Sequence, residues 1–271
     1  MAGGTRIVVA SFNQPRSLRL VLAGVLRLDG APDALLVADD GSEPEIEALV
    51  AGFRAKALFP VDFVTQENRG FRKARALNNA LRRIAGGRVL FLDGDTIPHR
   101  AWLREHERAL AAGAAFATGG YVFLDLDQAE RLEAEGSPAD PLLAPAECAR
   151  LRAVHRRQQW HRLVRTADKP KILGGNWSAR YEALEAVNGF DERYEGFGKE
   201  DSDIRNRLNA AGLRGRSVWD RAFVFHCPHE LDPSRLAPDD ARGEPDRGYY
   251  RSRKGRARCA RGLVYDPSAE V

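Results

Sequence analysis

Val89-Leu90-Phe91-Leu92-Asp93-Gly94-Asp95 is the stretch on which the reading of this chain turns. Four consecutive apolar residues have the length and composition of a strand buried on both faces, as parallel sheets require. Two carboxylates follow it one residue apart, and the glycine between them allows the backbone to turn so that both reach one small site. The same pattern recurs upstream. Arg6 to Ser11 reads as a short buried strand, and Leu18, Val21, Leu22, Val25 and Leu26 then recur at helical spacing. Leu35 to Ala38 is a second strand, ended by Asp39-Asp40-Gly41-Ser42, with Ile46, Leu49, Val50 and Phe53 marking the next helix. Val61 to Thr65 is a third strand, and Ala74, Leu77, Leu81 and Ile84 mark a third helix. This alternation predicts an α/β fold, a mostly parallel sheet flanked by helices. Polar loops follow three of the strands, at Ser11 to Gln14, Asp39 to Ser42 and Asp93 to Thr96, and such carboxyl ends are where open α/β sheets bind ligands.

Beyond residue 100 the rhythm changes. The pattern predicts helices over 101–110, 147–165, around 181–187 and over 201–211, single strands over 116–124 and 218–226, and a Pro- and Ala-rich loop over 137–145. Residues 1–100 read as a nucleotide-binding half, 101–235 as an acceptor-binding and catalytic half, and 236–271 as a basic C-terminal tail.

The 271 residues carry a net charge of +4, with 30% charged and 44% hydrophobic residues, ordinary for a soluble fold. No apolar run approaches the length of a membrane span, and Met1 to Arg6 leads into a strand with no signal-peptide pattern, so a cytoplasmic location is expected. Cys148, Cys227 and Cys259 are too widely spaced for a disulfide framework or a paired metal signature. Seven basic side chains lie between Arg247 and Arg261, which reads either as a surface tail or as a patch for peripheral contact with a membrane or polyanion.

Several clusters can carry chemistry, each with a plainer structural alternative. Asp93 and Asp95 suit a hard divalent cation beside ligand phosphates, or form an acidic turn. Asp39 and Asp40 either accept from a base or ribose or close a turn. Asn68-Arg69-Gly70, with Arg72, Lys73 and Arg75, opens a helix whose N–H groups and cations suit a phosphate. Glu200, Asp201 and Asp203 stand at a helix start after Gly196-Phe197-Gly198-Lys199, where acids serve as base and sugar ligand or merely cap the helix. His226 ends a strand, and imidazole beside carboxylates suits Mn²⁺ better than Mg²⁺. His226, Cys227 and His229 are too close together, with no second paired group, to form a zinc site.

In their order and spacing these motifs resemble the family 2 glycosyltransferases of the GT-A fold over about residues 5 to 230. The resemblance is carried by Val9 to Asn13, Val37 to Ser42, Asn68-Arg69-Gly70 with Arg75 and Asn78, Phe91 to Asp95, Gly174-Gly175-Asn176-Trp177-Ser178, Gly189 to Glu192 and Gly196 to Asp203. The C-terminal motifs are most similar to the branch shared by β-1,4-galactosyltransferases and chondroitin-type polymerases. The resemblance implies a Rossmann-like GT-A sheet with a fused acceptor-binding half. It implies nucleotide contacts from Ser11, Asn13, Asp39 (to the base), Arg75 and Asp93, and a metal, Mn²⁺ or Mg²⁺, on Asp95 and His226. Glu200 and Asn176 would contact the substrate, Trp177 would form an apolar floor under a sugar, and Asp201 would be the catalytic base. Phe197 stands where the family often has Trp, and Lys199 where Gly is frequent.

The implied reaction moves a sugar, with inversion, from a nucleotide-sugar donor (UDP-hexose or UDP-N-acetylhexosamine) to a hydroxyl of a glycan or lipid-linked glycan acceptor. No nucleic-acid partner is expected. A metal-dependent nucleotidyltransferase and a non-enzymatic polyanion-binding protein are the alternatives. The first lacks a Gly-rich triphosphate loop near residues 8 to 20, and the second leaves Asp95, Asp201 and His226 without a shared role.

Overall fold

The computed structural model describes residues 3–135, 143–164, 169–196, 198–229, 249–251, 253 and 255–270. A seven-stranded sheet is built on β1 (Thr5–Ser11), β2 (Ala34–Asp39), β3 (Val61–Val64) and β4 (Arg88–Asp93), all parallel, in the order β3-β2-β1-β4. It continues through β8 (Asn176–Arg180), β6 (Phe116–Thr118) and β9 (Gly215–Ser217), with β8 antiparallel to both β4 and β6. Both faces of β1 are buried. Ile7 and Val9 point into the cluster under α1 (Pro15–Val25), α2 (Pro44–Arg54) and α4 (Trp102–Ala111), and Val8 into the cluster under α3 (Lys73–Leu81), α7 (Tyr181–Ala186) and α8 (Glu200–Ala210). This two-sided burial is why β1 and β4 read as unbroken apolar runs rather than as alternating ones. The predicted α/β, GT-A-like class holds: a mixed, mostly parallel sheet flanked by helices.

A second sheet of three short strands, β5 (Thr96–Pro98), β10 (Phe223–His226) and β7 (Gly120–Phe123), lies beyond β4. Here the structure corrects the sequence reading. The strand expected over 116–124 is two strands in two sheets, broken at Gly119. A methyl group on Gly119 would lie 2.2 Å from Ala222 O, and one on Gly120 2.4 Å from Trp219 O. Glycine is therefore required where the chain crosses between sheets in close backbone contact. Of the strand expected over 218–226 only its last four residues, β10, form; β9 (Gly215–Ser217) precedes the expected span. β8 and the helix α5 (Leu126–Glu135) were not anticipated, whereas α6 (Pro145–Leu163) was, to within two residues at each end. The loop expected over 137–145 falls mostly on residues outside those described.

β8 escaped notice because its sequence, Asn-Trp-Ser-Ala-Arg, has buried polar residues where apolar ones are the usual signal. Asn176 and Ser178 are both fully buried. The Asn176 amide donates to Gly120 O (2.7 Å) and Ala222 O (3.2 Å), and its Oδ1 accepts from Trp102 Nε1 (2.8 Å) and His106 Nε2 (3.0 Å). With Nε2 of His106 thereby the donor, Nδ1 accepts from the Ser178 hydroxyl at 2.8 Å. Asn176 is thus a structural tie between the sheets and not the substrate contact that the resemblance implied. Trp177 is also corrected. It is 0% exposed, stacked on Phe91 at 4.4 Å and edge-on to Phe190 at 5.9 Å, so it fills the core and presents no floor to a sugar.

The C-terminal residues are not a free basic tail; of that segment, 236–248 lie outside the described residues. Residues 255–270 pack along α7 and the turn after it. Asn188 donates to Cys259 O and Val264 O and accepts from Val264 N. Arg258 donates to the last carbonyls of α7, Glu185 O and Ala186 O, a favourable place for a cation. Arg253, 3% exposed, donates to Ala269 O and Arg258 O. No helix among the described residues is long and apolar enough to cross a membrane.

Burial lowers the pKa of His106 from 6.5 to about 4, and the Asn176 hydrogen bond opposes this only in part. The unfolded imidazole therefore takes up a proton at a higher pH than the folded one. The stability held in the neutral ring is complete above about pH 6.5 and is lost as the pH falls towards 4, by about 3 kcal/mol in all. Urea unfolding of wild type and His106→Gln across that range should show their stability difference shrinking as the pH falls. A difference independent of pH would exclude this role for His106.

Candidate active site and metal centre

The carboxyl ends of β1, β2 and β4 are adjacent, since Ser11 pairs with Asp39 and Ala10 with Asp93. The loop after β1 is knitted to the loop after β2: Asn13 N–H donates to Ser42 Oγ (3.0 Å), and Glu43 N–H donates to Asn13 Oδ1 (2.8 Å). Asn13 has φ +43, which asparagine tolerates better than most residues. Ser11 is buried at this edge, and Arg75 is exposed on α3. Asp39 differs from the expectation of a free acceptor for a base. It is buried, and its oxygens accept from Gly41 N, Ser42 N, Ser42 Oγ and Thr65 Oγ1, so it shapes the pocket wall from within. Asp40 does the same for the next loop, accepting from Arg72 N (2.8 Å) and Gln66 Nε2 (2.6 Å).

Asp95 and His226 meet because β5 and β10 run antiparallel. Thr96 pairs with His226, and Cys227 N–H donates to Asp95 O at 2.8 Å. The turn after β10 then returns His229 to the same carboxylate. His229 Nε2 lies 2.9 Å and His226 Nε2 3.7 Å from Asp95 Oδ2. One ligand atom from each of the three residues lies within 4.8 Å of the others. Asp95 Oδ1 is buried without a hydrogen-bond partner among the described residues. Burial opposes ionisation of Asp95, but the His229 hydrogen bond and the positive charges of His226, His229 and Lys73 outweigh it and hold the carboxyl below its ordinary range. A carboxylate with a spare oxygen and two imidazoles fits a divalent cation, Mn²⁺ better than Mg²⁺. The sequence reading placed His226 here but considered His229 only for zinc. The three-residue spacing was visible, but the bend that aims both rings at Asp95 was not.

Beside this centre lies the second acidic cluster. Glu200 and Asp201 open α8, and Lys199 before them has φ +81, in the left-handed region that favours glycine. That is the conformational reason for a glycine at this place in similar sequences. Phe197 lies outside the described residues. Lys73, at the start of α3, was grouped in the sequence reading with phosphate-binding cations; the structure pairs it with Asp93, Nζ to Oδ1 2.5 Å. The Gly174-Gly175 backbone packs against these groups. A methyl on Gly174 would lie 2.6 Å from Lys73 Nζ, 2.8 Å from Asp201 Oδ2 and 3.2 Å from Asp93 Oδ2, so all three converge on one point.

The electrostatics follow from crowding. Burial, and next the charge of Glu200, push the Asp201 carboxyl well above the ordinary carboxylate range, against the pull of Lys73. Burial disfavours the Lys73 charge, but Asp93, Asp201 and Glu200 overcome it and raise its pKa. The Tyr121 hydroxyl, which donates to Leu173 O at 3.1 Å, is raised by burial and by Asp93, Asp201 and Asp95. Phe123, on the same strand and 68% exposed, has its ring 5.2 Å from that of His226. Sequence reasoning missed it, because only the break at Gly119 brings β7 alongside β10.

A test of the converging geometry is Gly174→Ala. The residue is not in the left-handed region, and the three atoms nearest the new methyl would be the ends of Lys73 and Asp93 and the Asp201 carboxylate. The protein should fold with a near-normal melting temperature while catalysis falls roughly 10²-fold, the scale of a misplaced reacting group. Unchanged turnover would show that the crowding at Gly174 has no catalytic meaning.

Residues 6–136 match the family described as Glycosyl transferase family 2, and residues 156–230 match that described as the N-terminal domain of galactosyltransferase. Chondroitin synthase of Escherichia coli is 25% identical over 242 residues, covering 82% of this chain and 34% of its own length. The UDP-forming cellulose synthase catalytic subunit of Komagataeibacter sucrofermentans is 34% identical over 101 residues, 36% of this chain and 13% of its own. The chain thus spans about a third or less of these relatives. Among solved structures, the mannosyltransferase PcManGT of Pyrobaculum calidifontis, in complex with GDP-Man and Mn²⁺, superposes with a TM-score of 0.60 at 20% identity over 93% of this chain and 62% of that one. That likeness shows the fold, and the two family matches cover the donor-side strands and the acidic motif in turn. The chain is therefore a family 2 glycosyltransferase of GT-A-like fold, with a C-terminal part resembling those of galactosyltransferases and chondroitin-type polymerases.

Proposed function

We propose that this glycosyltransferase is divalent-metal-dependent and inverting, moving a hexose or N-acetylhexosamine from its UDP-linked donor to a hydroxyl of a glycan or lipid-linked glycan. The observation that carries the reading is the placement of Asp95, His226 and His229 immediately beside Lys73, Asp93, Glu200 and Asp201 at the carboxyl edge of the sheet. UDP is favoured by the UDP-forming relative, although the mannosyltransferase of similar fold holds GDP-Man. Residues 1–100 would hold the donor and 101–235 the acceptor. Ser11, Asn13 and Arg75 flank the nucleotide, with Asp39 supporting the loop beneath it.

Asp95, His226 and His229 would hold Mn²⁺, which when bound neutralises charge on the departing diphosphate. Lys73 keeps Asp93 and Asp201 from repelling one another and the donor phosphates. Asp201 takes the proton of the acceptor hydroxyl as that oxygen attacks the anomeric carbon, and one displacement inverts the configuration. A dication beside Asp201, together with the N-terminus of α8, favours its ionised form. Glu200 contacts sugar hydroxyls. Phe123 takes the platform role once assigned to Trp177, since it is the exposed ring next to the metal centre. In the described part of the C-terminal segment Arg253 and Arg258 spend donors on the fold, which leaves Arg251, Arg256 and Arg261 as the exposed arginines for any peripheral membrane contact.

Asp201→Asn should lower the transfer rate roughly 10²–10⁴-fold and leave UDP affinity nearly unchanged. Asp95→Asn and His229→Ala should each weaken Mn²⁺-dependent UDP binding as well as the rate. Calorimetry with UDP, with and without Mn²⁺, beside initial rates, separates the two classes. Equal UDP affinity with and without metal would remove the metal-bridged reading, and near-normal transfer by Asp201→Asn would move the base to Glu200. Phe123→Ala should raise KM roughly three- to tenfold at little-changed kcat; an unaltered KM would leave the platform unassigned.

A further inference from the structure

Helix α6 carries a face that catalysis leaves unused. Leu151 and Gln158 are buried, Arg150 donates to Tyr121 O, and His155 Nδ1 lies 3.2 Å from Asp220 Oδ1, so one side of the helix is fixed to the body. On the other side Arg152, Arg156 and Arg157 are exposed, followed by Trp160 (63% exposed), Leu163 (75%) and, just past the helix end, Val164 (52%). Spacings of three and four residues place them along one face. The only acid in the helix, Glu147, is paired with Arg150 at 2.7 Å. The face is therefore cationic at one end and apolar at the other.

We propose that this face of α6 docks on an anionic lipid bilayer. Trp160, Leu163 and Val164 would enter the boundary between headgroups and acyl chains, where an indole with one polar edge and two aliphatic side chains leave water. Arg152, Arg156 and Arg157 would lie against the lipid phosphates. A polyanionic glycan would be met by the arginines alone and gives no reason for an exposed leucine and valine beside them. The position fits as well. From Val164 the chain reaches Gly174, in the catalytic cluster, in about ten residues, a span of at most about 35 Å. The proposal concerns where the enzyme sits and holds for a soluble or a lipid-linked acceptor, so its test reads binding and not transfer.

The test is co-sedimentation of the full chain with vesicles of phosphatidylcholine alone and of equal parts phosphatidylcholine and phosphatidylglycerol. It compares wild type, the triple variant Arg152→Gln/Arg156→Gln/Arg157→Gln, and the double variant Trp160→Ser/Leu163→Ser. Wild type should bind the phosphatidylglycerol vesicles. At roughly fivefold per arginine, the triple variant should bind on the order of a hundredfold more weakly, and the double variant at least about tenfold more weakly. Both should keep the wild-type melting temperature and donor hydrolysis. Equal vesicle binding by all three proteins, or none by wild type, would overturn the proposal. So would retention on immobilised heparin that depends on the arginines, combined with vesicle binding indifferent to Trp160 and Leu163, which would assign the face to a polyanion.

Discussion

The side-chain amide of Asn176 is the contact on which the arrangement of the site depends. It sits at the start of β8, directly after the Gly174-Gly175 pair that packs on Lys73, Asp93 and Asp201, and bridges Gly120 O and Ala222 O. Those two carbonyls flank the crossing from the large sheet to the small one. The small sheet, in turn, carries His226 on β10 and follows Asp95 through β5. One buried amide, fully satisfied by four partners, thereby sets the distance between the two halves of the active site. Low local dielectric strengthens such a network when every member is paired and makes each loss costly.

Charge is the second organising constraint. Asp93, Asp95, Glu200 and Asp201 are drawn into one cleft, with Lys73 as the cation that the structure pairs directly with one of them. Asp93, Glu200 and Asp201 share the one ammonium of Lys73, and burial with the charge of Glu200 makes ionisation of Asp201 expensive, as its raised carboxyl shows. In the proposed function a divalent cation held by Asp95, His226 and His229 would offset part of this charge.

Helix α8 is held from behind. Arg207 and Asp203, both buried, pair at 2.6 Å one turn into α8, and Arg207 Nη1 also donates to Val187 O and Gly189 O. Tyr250 accepts from Asn206 on the same helix, and Tyr249 donates to Asp191. Tyr250 of the C-terminal segment thus contributes to fixing the helix that presents Glu200 and Asp201. Cations that look like a solvated tail in sequence are used here as hydrogen-bond donors to backbone carbonyls.

The first hundred residues were legible in the sequence, because a parallel sheet buried on both faces writes itself as apolar runs, and polar loops after Ser11, Asp39 and Asp93 mark its carboxyl edge. The acidic motifs at Asp93-Gly94-Asp95 and Glu200-Asp201 were legible through their order and spacing with the neighbouring motifs, since each alone reads equally as an acidic turn or a helix cap. Tertiary structure alone decided the rest. It divided the segment 116–124 between two sheets, because Gly119 and Gly120 allow a backbone approach that no local pattern announces. It hid β8, whose polar residues are satisfied by Trp102, His106 and two carbonyls distant in sequence. It buried Trp177, expected as the floor under a sugar, and exposed Phe123, to which the sequence assigned no role. It also joined His229 and Lys73 to the site. Local pattern reports which face of an element is apolar; which polar groups meet is set by how elements cross, and that is fixed only when the sheets pack.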